Sequence, residues 1–482
     1  VNPYQDLRSR HRTLATAALL GCAFLAVLDG TVVGTALPRI AQQVGGGGTW
    51  YVWLVTAYLL TSSVSVPVYG RFSDLYGRQR LLLGGLAVFL AGSTACALAT
   101  TMPVLVASRA VQGLGAGALL TLGMALIRDL HPPSRPQGLI RMQTVLAAMT
   151  VLGMIGGPIL GGLLADHAGW RWAFRLNLPL GLAAWLLIAL VLPQCRPATA
   201  PTGRLDTAGV LLLTSGLGLV LIGLGLKGNA SAGRWSDPAV GGCLLGGLAL
   251  LAVLIPVERR AAVPVLPLRL FRNRTYSALL AAGFLFQVAA MPVGILLPLY
   301  FQHRRGYSAT ASGLLLLPLL IGMTVGNRLT AAAVTRGRQV RSVLLTGAAL
   351  LTFGTAGLLT LGPSTPVPLT SVLLLLIGLG TGPAMGGLTM ATQSCVPPAD
   401  MGTATAGSAL AKQLGGAFSL ACAQSLLARS DTAIGPTVAW TGIPAALLAA
   451  GALLLVRDLA VATSNSRVAA RGSRPSEQRG RV

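Results

Sequence analysis

Charge is what this sequence has least of. Of its 482 residues only 10% are charged and only 12 are acidic, whereas a soluble domain carries about a quarter charged residues. With 53% hydrophobic residues and a mean hydropathy of +0.71, a water-soluble enzyme is excluded. Lysine occurs only at Lys227 and Lys412, so arginine supplies nearly all of the 36 basic residues. That bias, beside abundant Ala, Gly and Pro, points to a GC-rich, bacterial genome. The 4 histidines and 6 cysteines form neither C-x-x-C nor H-E-x-x-H, so neither a zinc site nor a disulfide framework is expected. Aromatics are too scarce for an aromatic cage, and Trp50, Tyr51 and Trp53 read as an interfacial belt. No cleavable signal peptide is expected, because the first apolar run continues past Ala36.

What the sequence does have is a succession of apolar runs, each near the roughly 20 residues that cross a bilayer as a helix. They fall at 13–38, 50–70, 81–101, 103–127, 142–165, 172–192, 206–226, 238–256, 276–301, 311–333, 342–362, 366–390, 404–427 and 437–456. The expectation is an all-α polytopic membrane protein with fourteen transmembrane helices. Its parts are an N-terminal segment 1–12, a six-helix bundle 13–192, a linker 193–275 holding helices seven and eight, a second six-helix bundle 276–456, and a disordered basic tail 457–482. Assigning the connections alternately to two sides places basic residues on the N-terminal side roughly three to one over the other, which makes both termini cytoplasmic. The net charge of +24 is thereby explained by inner-face arginines rather than by a nucleic-acid footprint.

Eleven of the acids lie in loops, tails or span ends; Asp29 alone is embedded. It sits about 24 Å from the inner face at 1.5 Å rise per residue. An isolated intramembrane carboxylate costs several kcal/mol, so it is a functional candidate. The fourth span enters from the opposite side and puts Arg109 about 21 Å from the inner face. A carboxylate pulled one way by burial and the other by a guanidinium is suited to exchanging a proton as conformation changes. Lys412, about ten residues inside its span, needs a water-filled cavity or an acid, and no acid is available nearby.

Several stretches resemble the major facilitator superfamily, and within it the fourteen-span drug/proton antiporter family. Leu28-Asp29-Gly30-Thr31-Val32-Val33-Gly34-Thr35-Ala36-Leu37-Pro38 is similar to that family's first-span motif, with Gly34 where Asn is usual. Gly70-Arg71-Phe72-Ser73-Asp74-Leu75-Tyr76-Gly77-Arg78 looks like the loop between spans two and three, where Gly70, Asp74, Gly77 and Arg78 are expected to form a conformational gate. Leu105, Arg109, Gln112, Gly113 and Gly115 match the fourth-span pattern. Gly153, Gly157, Pro158, Gly161 and Gly162 match the antiporter motif, whose small residues make a flat packing face and whose proline eases bending. Trp170-Arg171-Trp172-Ala173-Phe174-Arg175-Leu176-Asn177-Leu178-Pro179, and Lys412-Gln413-Leu414-Gly415-Gly416 with Lys where Arg is usual, resemble the fourteen-span branch.

The resemblance implies two six-span bundles rocking about a central cavity. It implies a monomeric secondary transporter in the bacterial cytoplasmic membrane, driven by the proton gradient without a cofactor, exporting lipophilic small molecules. Asp29 and Arg109 would couple protons, and Asp29, Gln112 and Lys412 would line the substrate cavity. With one embedded acid, neutral compounds and monovalent cations lead as cargo, and anions stay open through Arg109 and Lys412. The alternatives are an exporter of an endogenous metabolite, siderophore or self-made antibiotic in the same fold, or a polytopic membrane enzyme or receptor. Expected partners are the cargo, protons and membrane lipids, with no nucleic acid.

Overall fold

Each apolar run carries hydrophobic side chains on every face, the pattern of a helix surrounded by protein and lipid rather than by water. The structure, a computed structural model, describes residues 9–45, 48–131, 136–193, 207–227, 237–260, 268–336, 339–362, 364–397, 401–427 and 434–456. The chain before Ser9 and the basic tail 457–482 lie outside the described residues. Among those described there are helices and no strand. Among the described residues eleven helices are long and apolar enough to cross a bilayer, and two shorter apolar stretches, Trp53–Val66 and Ala208–Leu224, accompany them. Leu190, Phe353 and Leu245 are 82%, 73% and 71% exposed, side chains a water-soluble surface would not present in such number and a hydrocarbon phase accepts.

The first half comprises α1 (Ser9–Val44), α2 (Gly48–Tyr76), α3 (Arg78–Leu98), α4 (Met102–Leu130), α5 (Pro136–Leu163), α6 (Trp172–Arg175) and α7 (Asn177–Val191). Within it α1 packs on α5, α4 and α7, and α4 packs on α2 and α3. Next come α8 (Thr207–Lys227) and α9 (Pro238–Arg260), which lie against each other where Gly216 and Gly247 meet; α8 also touches α2 and the helix Met401–Leu427 of the second half. The second half comprises α10 (Arg274–Leu299), α11 (Ala309–Leu315), α12 (Leu317–Thr335), α13 (Val340–Gly357), α14 (Val367–Ser394), α15 (Met401–Leu427) and α16 (Ile434–Leu454). Here α10 packs on α15 and α16, and α14 packs on α12 and α13.

Two runs expected as single helices are broken. Run 172–192 divides at Leu176 into α6 and α7, and Pro179 falls in the first turn of α7, where its missing N–H costs nothing. Run 311–333 divides at Leu316 into α11 and α12, again with a proline, Pro318, in the first turn of the second piece. α5 ends in a π-helical turn, Leu164–Ala168, and α10 in another, Tyr300–Arg304. These two turns lie where the halves meet, at the end of the bundle away from Ser9. There Gln302 Nε2 donates to the Thr35 carbonyl at 3.1 Å, and Val33, Ala36 and Leu37 share an apolar cluster with Ile295 and Ala309.

Candidate functional site

Asp29 lies on the face of α1 turned into its own bundle, 1% exposed. The depth match with Arg109 becomes a contact: Arg109 Nη1 donates to Asp29 Oδ2 at 2.8 Å and to Gln112 Oε1 at 2.7 Å. Arg109 and Gln112 lie one turn apart on α4, so both reach the same carboxylate. Gln112 Nε2 donates to Asp29 Oδ1 at 2.8 Å. Asn177 Nδ2, on the first residue of α7, reaches the same oxygen at 2.7 Å. Ser93 Oγ, on α3, accepts from Gln112 at 3.1 Å and from Asn177 at 3.0 Å, and donates to the Phe174 carbonyl at 2.9 Å. The guanidinium stacks 4.0 Å from the Tyr58 ring centroid, and its Nε donates to the Leu54 carbonyl at 3.4 Å.

This network draws on α1, α2, α3, α4 and α7 and is sealed: Gln112 and Ser93 are 0% exposed, Arg109 and Asn177 1%. A buried charge is tolerated when paired and hydrogen-bonded throughout. Among the described residues the carboxyl group faces three N–H donors and no acceptor, the surroundings of a carboxylate anion. Asp29 and Gln112, expected on the cavity wall, are thus placed inside the first half in this conformation. Lys412 is instead half-buried on α15, its Nζ donating to the Met385 carbonyl of α14 at 3.3 Å and its stem lying against Gly283 of α10. Gly34, the departure from the first-span motif, faces open space; a Cβ there would meet nothing within 4 Å. The position therefore contributes nothing to the bonding of Asp29.

The glycines of α5 work on two sides. Side chains at Gly153, Gly157 and Gly161 would collide with Val27, Thr31, Val32 and Thr35 of α1. Thr31 Oγ lies 3.1 Å from the Gly153 carbonyl and Thr35 Oγ 3.1 Å from that of Pro158. On the other side Gly162 abuts the backbone of Ala309 and Thr310, and Gly313 abuts Pro158. Asp166, in the π turn, accepts from the Ala309 and Thr310 amides at 3.3 and 2.8 Å and from Thr310 Oγ1 at 2.7 Å, capping α11 across the divide.

At the other end, Gly77 joins α2 to α3 with φ of 91°, a left-handed conformation that favours glycine. Arg78 opens α3 and forms an ion pair with Asp129 at the end of α4, within the same half. Gly70 lies within α2, while the side chain of Asp74 lies outside the described residues. Sequence reasoning missed Asn177, Ser93 and Tyr58 as members of the network. Asn177 left a signal, an amide within an apolar run, whereas Ser93 and Tyr58 left none. Among the described residues no cluster of His, Cys, Asp and Glu could hold a metal ion.

Comparison with known proteins places this geometry in a family. The pattern described as the Major Facilitator Superfamily matches residues 19–420. The multidrug transporter protein MdtP of Bacillus subtilis is 34% identical over 411 residues, 85% of this chain and 74% of the relative. An uncharacterized MFS-type transporter of Mycobacterium tuberculosis is 32% identical over 446 residues, 92% of this chain but 64% of the relative, so the chain spans less than two thirds of that protein's length. In fold, a crystal structure of an auto-inhibited POT family peptide transporter superposes with a TM-score of 0.67 at 14% identity, covering 98% of this chain and 99% of that one. The helical architecture, the pattern match over most of the chain and these relatives together make this chain a member of the Major Facilitator Superfamily, a secondary transporter and not an enzyme.

Proposed function

We propose that the protein is a proton-coupled exporter of lipophilic small molecules in the bacterial cytoplasmic membrane, with fourteen crossings and both termini inside. The observation that carries the reading is the sealed Asp29–Arg109 pair at 2.8 Å. The multidrug role named for the Bacillus relative and the antiporter-type glycine pattern of α5 support it.

With basic residues kept inside, the end where the halves meet is the outer one, and the cavity this reading requires between the halves faces the cytoplasm. Cargo enters while Asp29 is an anion held by Arg109, Gln112 and Asn177. When the halves part at the outer end, α1 moves against α4 and water reaches the carboxylate. A proton arriving there removes the charge that Arg109 neutralises, leaves the guanidinium held by the Leu54 carbonyl and the Tyr58 ring alone, and favours cargo release and return. Each charge moved contributes about 2.3 kcal/mol per 100 mV of membrane potential. Gly153, Gly157 and Gly161 let α5 and α1 travel together, while Pro158 and the π turn give the bend at which α5 leaves α11.

The test is gradient-driven transport in proteoliposomes. Asp29→Asn should abolish pumping driven by an imposed proton gradient; it leaves the buried Arg109 guanidinium without its counter-charge and so lowers the unfolding midpoint, while a helical circular-dichroism spectrum verifies that the reconstituted protein is folded. Full proton-driven export by that variant would refute the proposal.

A further inference from the structure

The sequence alone favours neutral or cationic cargo because it contains one embedded acid, but the structure withdraws that acid from contact with cargo. Asp29 is engaged by Arg109, Gln112 and Asn177 and is 1% exposed, so it has no free face for a cation. Lys412, by contrast, is only half-buried on α15. Among the described residues it takes part in none of the three ion pairs, which are Arg39–Asp166, Arg78–Asp129 and Arg109–Asp29. Its one hydrogen bond there goes to the Met385 carbonyl at 3.3 Å.

A second donor stands beside it. Lys412 packs at Gly283, and Gln287, one turn further along α10, packs at Gly416, one turn further along α15. Among the described residues the Gln287 carboxamide donates only to the thioether of Met291, at 3.5 Å, a weak acceptor. The missing side chains at Gly283 and Gly416 leave room for the stem of Lys412 and for Gln287 on the α10–α15 seam. Met291 and Met385, the latter 37% exposed, add soft apolar surface that accommodates varied hydrocarbon shapes. An ammonium at this depth needs water or an anion.

Resting on the reading that this space is the cargo site, we infer that Lys412 and Gln287 form an anion subsite and that the exporter carries lipophilic monoanions, such as carboxylates and phenolates on apolar bodies. The ammonium supplies the charge, the carboxamide a second hydrogen bond, and the methionines the apolar contact. An inside-negative potential drives such an anion outward.

The test uses the detergent-purified full chain and three fluorescent probes sharing one body: 1-pyrenebutyrate, its methyl ester and the matching trimethylammonium cation. Wild type should bind the acid most tightly. K412M should weaken the acid about 10- to 100-fold, the effect of losing a hydrogen bond to a charged group, and leave the ester unchanged; K412R should stay near wild type, and Q287L should weaken the acid by a smaller factor. Ester binding and the unfolding midpoint verify that each variant is folded. The inference is overturned if wild type binds the acid no better than the ester or the cation, or if K412M and Q287L both hold it within about twofold of wild type. Gradient-driven movement of the same probes in proteoliposomes separates this from the export reading. Binding that depends on Lys412 without proton-driven movement would sink export and leave the anion subsite standing.

Discussion

At the scale of single residues, the strongest consequence concerns Asn177, which sequence reading treated as part of a family signature. It supplies one of the two donors on Asp29 Oδ1 and also bonds Ser93. Asn177→Leu should lower stability by about 1–3 kcal/mol, the cost of leaving buried polar groups short of a partner, and a thermal midpoint equal to wild type would contradict this. Arg109→Lys should prove non-conservative, because an ammonium cannot both bridge Asp29 and Gln112 and stack flat on Tyr58; transport near wild-type levels would count against the arrangement. His131, beyond the end of the fourth span, offers a pH test. Its Nε2 lies 3.1 Å from Thr16 Oγ1, and burial first, then the charge of Arg12, holds its pKa below the ordinary 6.5. The native state therefore favours the neutral ring. Its contribution is fully present above pH 6.5 and is lost as pH falls through the lower folded value. His131→Gln should flatten the dependence of the unfolding midpoint on pH below about 6.5, and an unchanged slope would show that the ring has no part in it.

At the scale of helices, most of the pattern was legible beforehand, because each apolar run is bounded by charged or turn-forming residues. The two breaks were less so. Pro179 and Pro318 are visible in the sequence, but proline in the first turn of a new helix and proline within one helix leave the same mark, as Pro38, Pro158 and Pro383 show by sitting inside α1, α5 and α14. The Asp29–Arg109 pairing could be deduced from depth alone. The inward rotation of Asp29 and Gln112 could not, since it depends on how α1, α3, α4 and α7 pack, and Asn177 lies 148 residues from Asp29. The two-sided use of α5 was likewise hidden: sequence shows small residues, not which neighbour each one meets. Gly161→Val should drive α5 off the Val32 carbonyl of α1 and destabilise by about 1–3 kcal/mol, as overpacking does; a tolerated valine in a thermal unfolding series would mean the two helices are not so closely seated.

At the scale of the whole molecule, the halves are held together at the end away from Ser9 by Gly162 against Ala309 and Thr310, by Asp166 over α11, and by Gln302 on α1. A Gly162→Cys, Thr310→Cys pair in a background without other cysteines should cross-link on oxidation and stop export, and reduction should restore it. Export that continues while the bridge is intact would mean this end never has to part. The hairpin of α8 and α9 has a different bearing. Because α8 lies against both α2 and α15, an oily compound exported in the way proposed and dissolved in the surrounding leaflet would meet this hairpin on that flank before it met the two bundles.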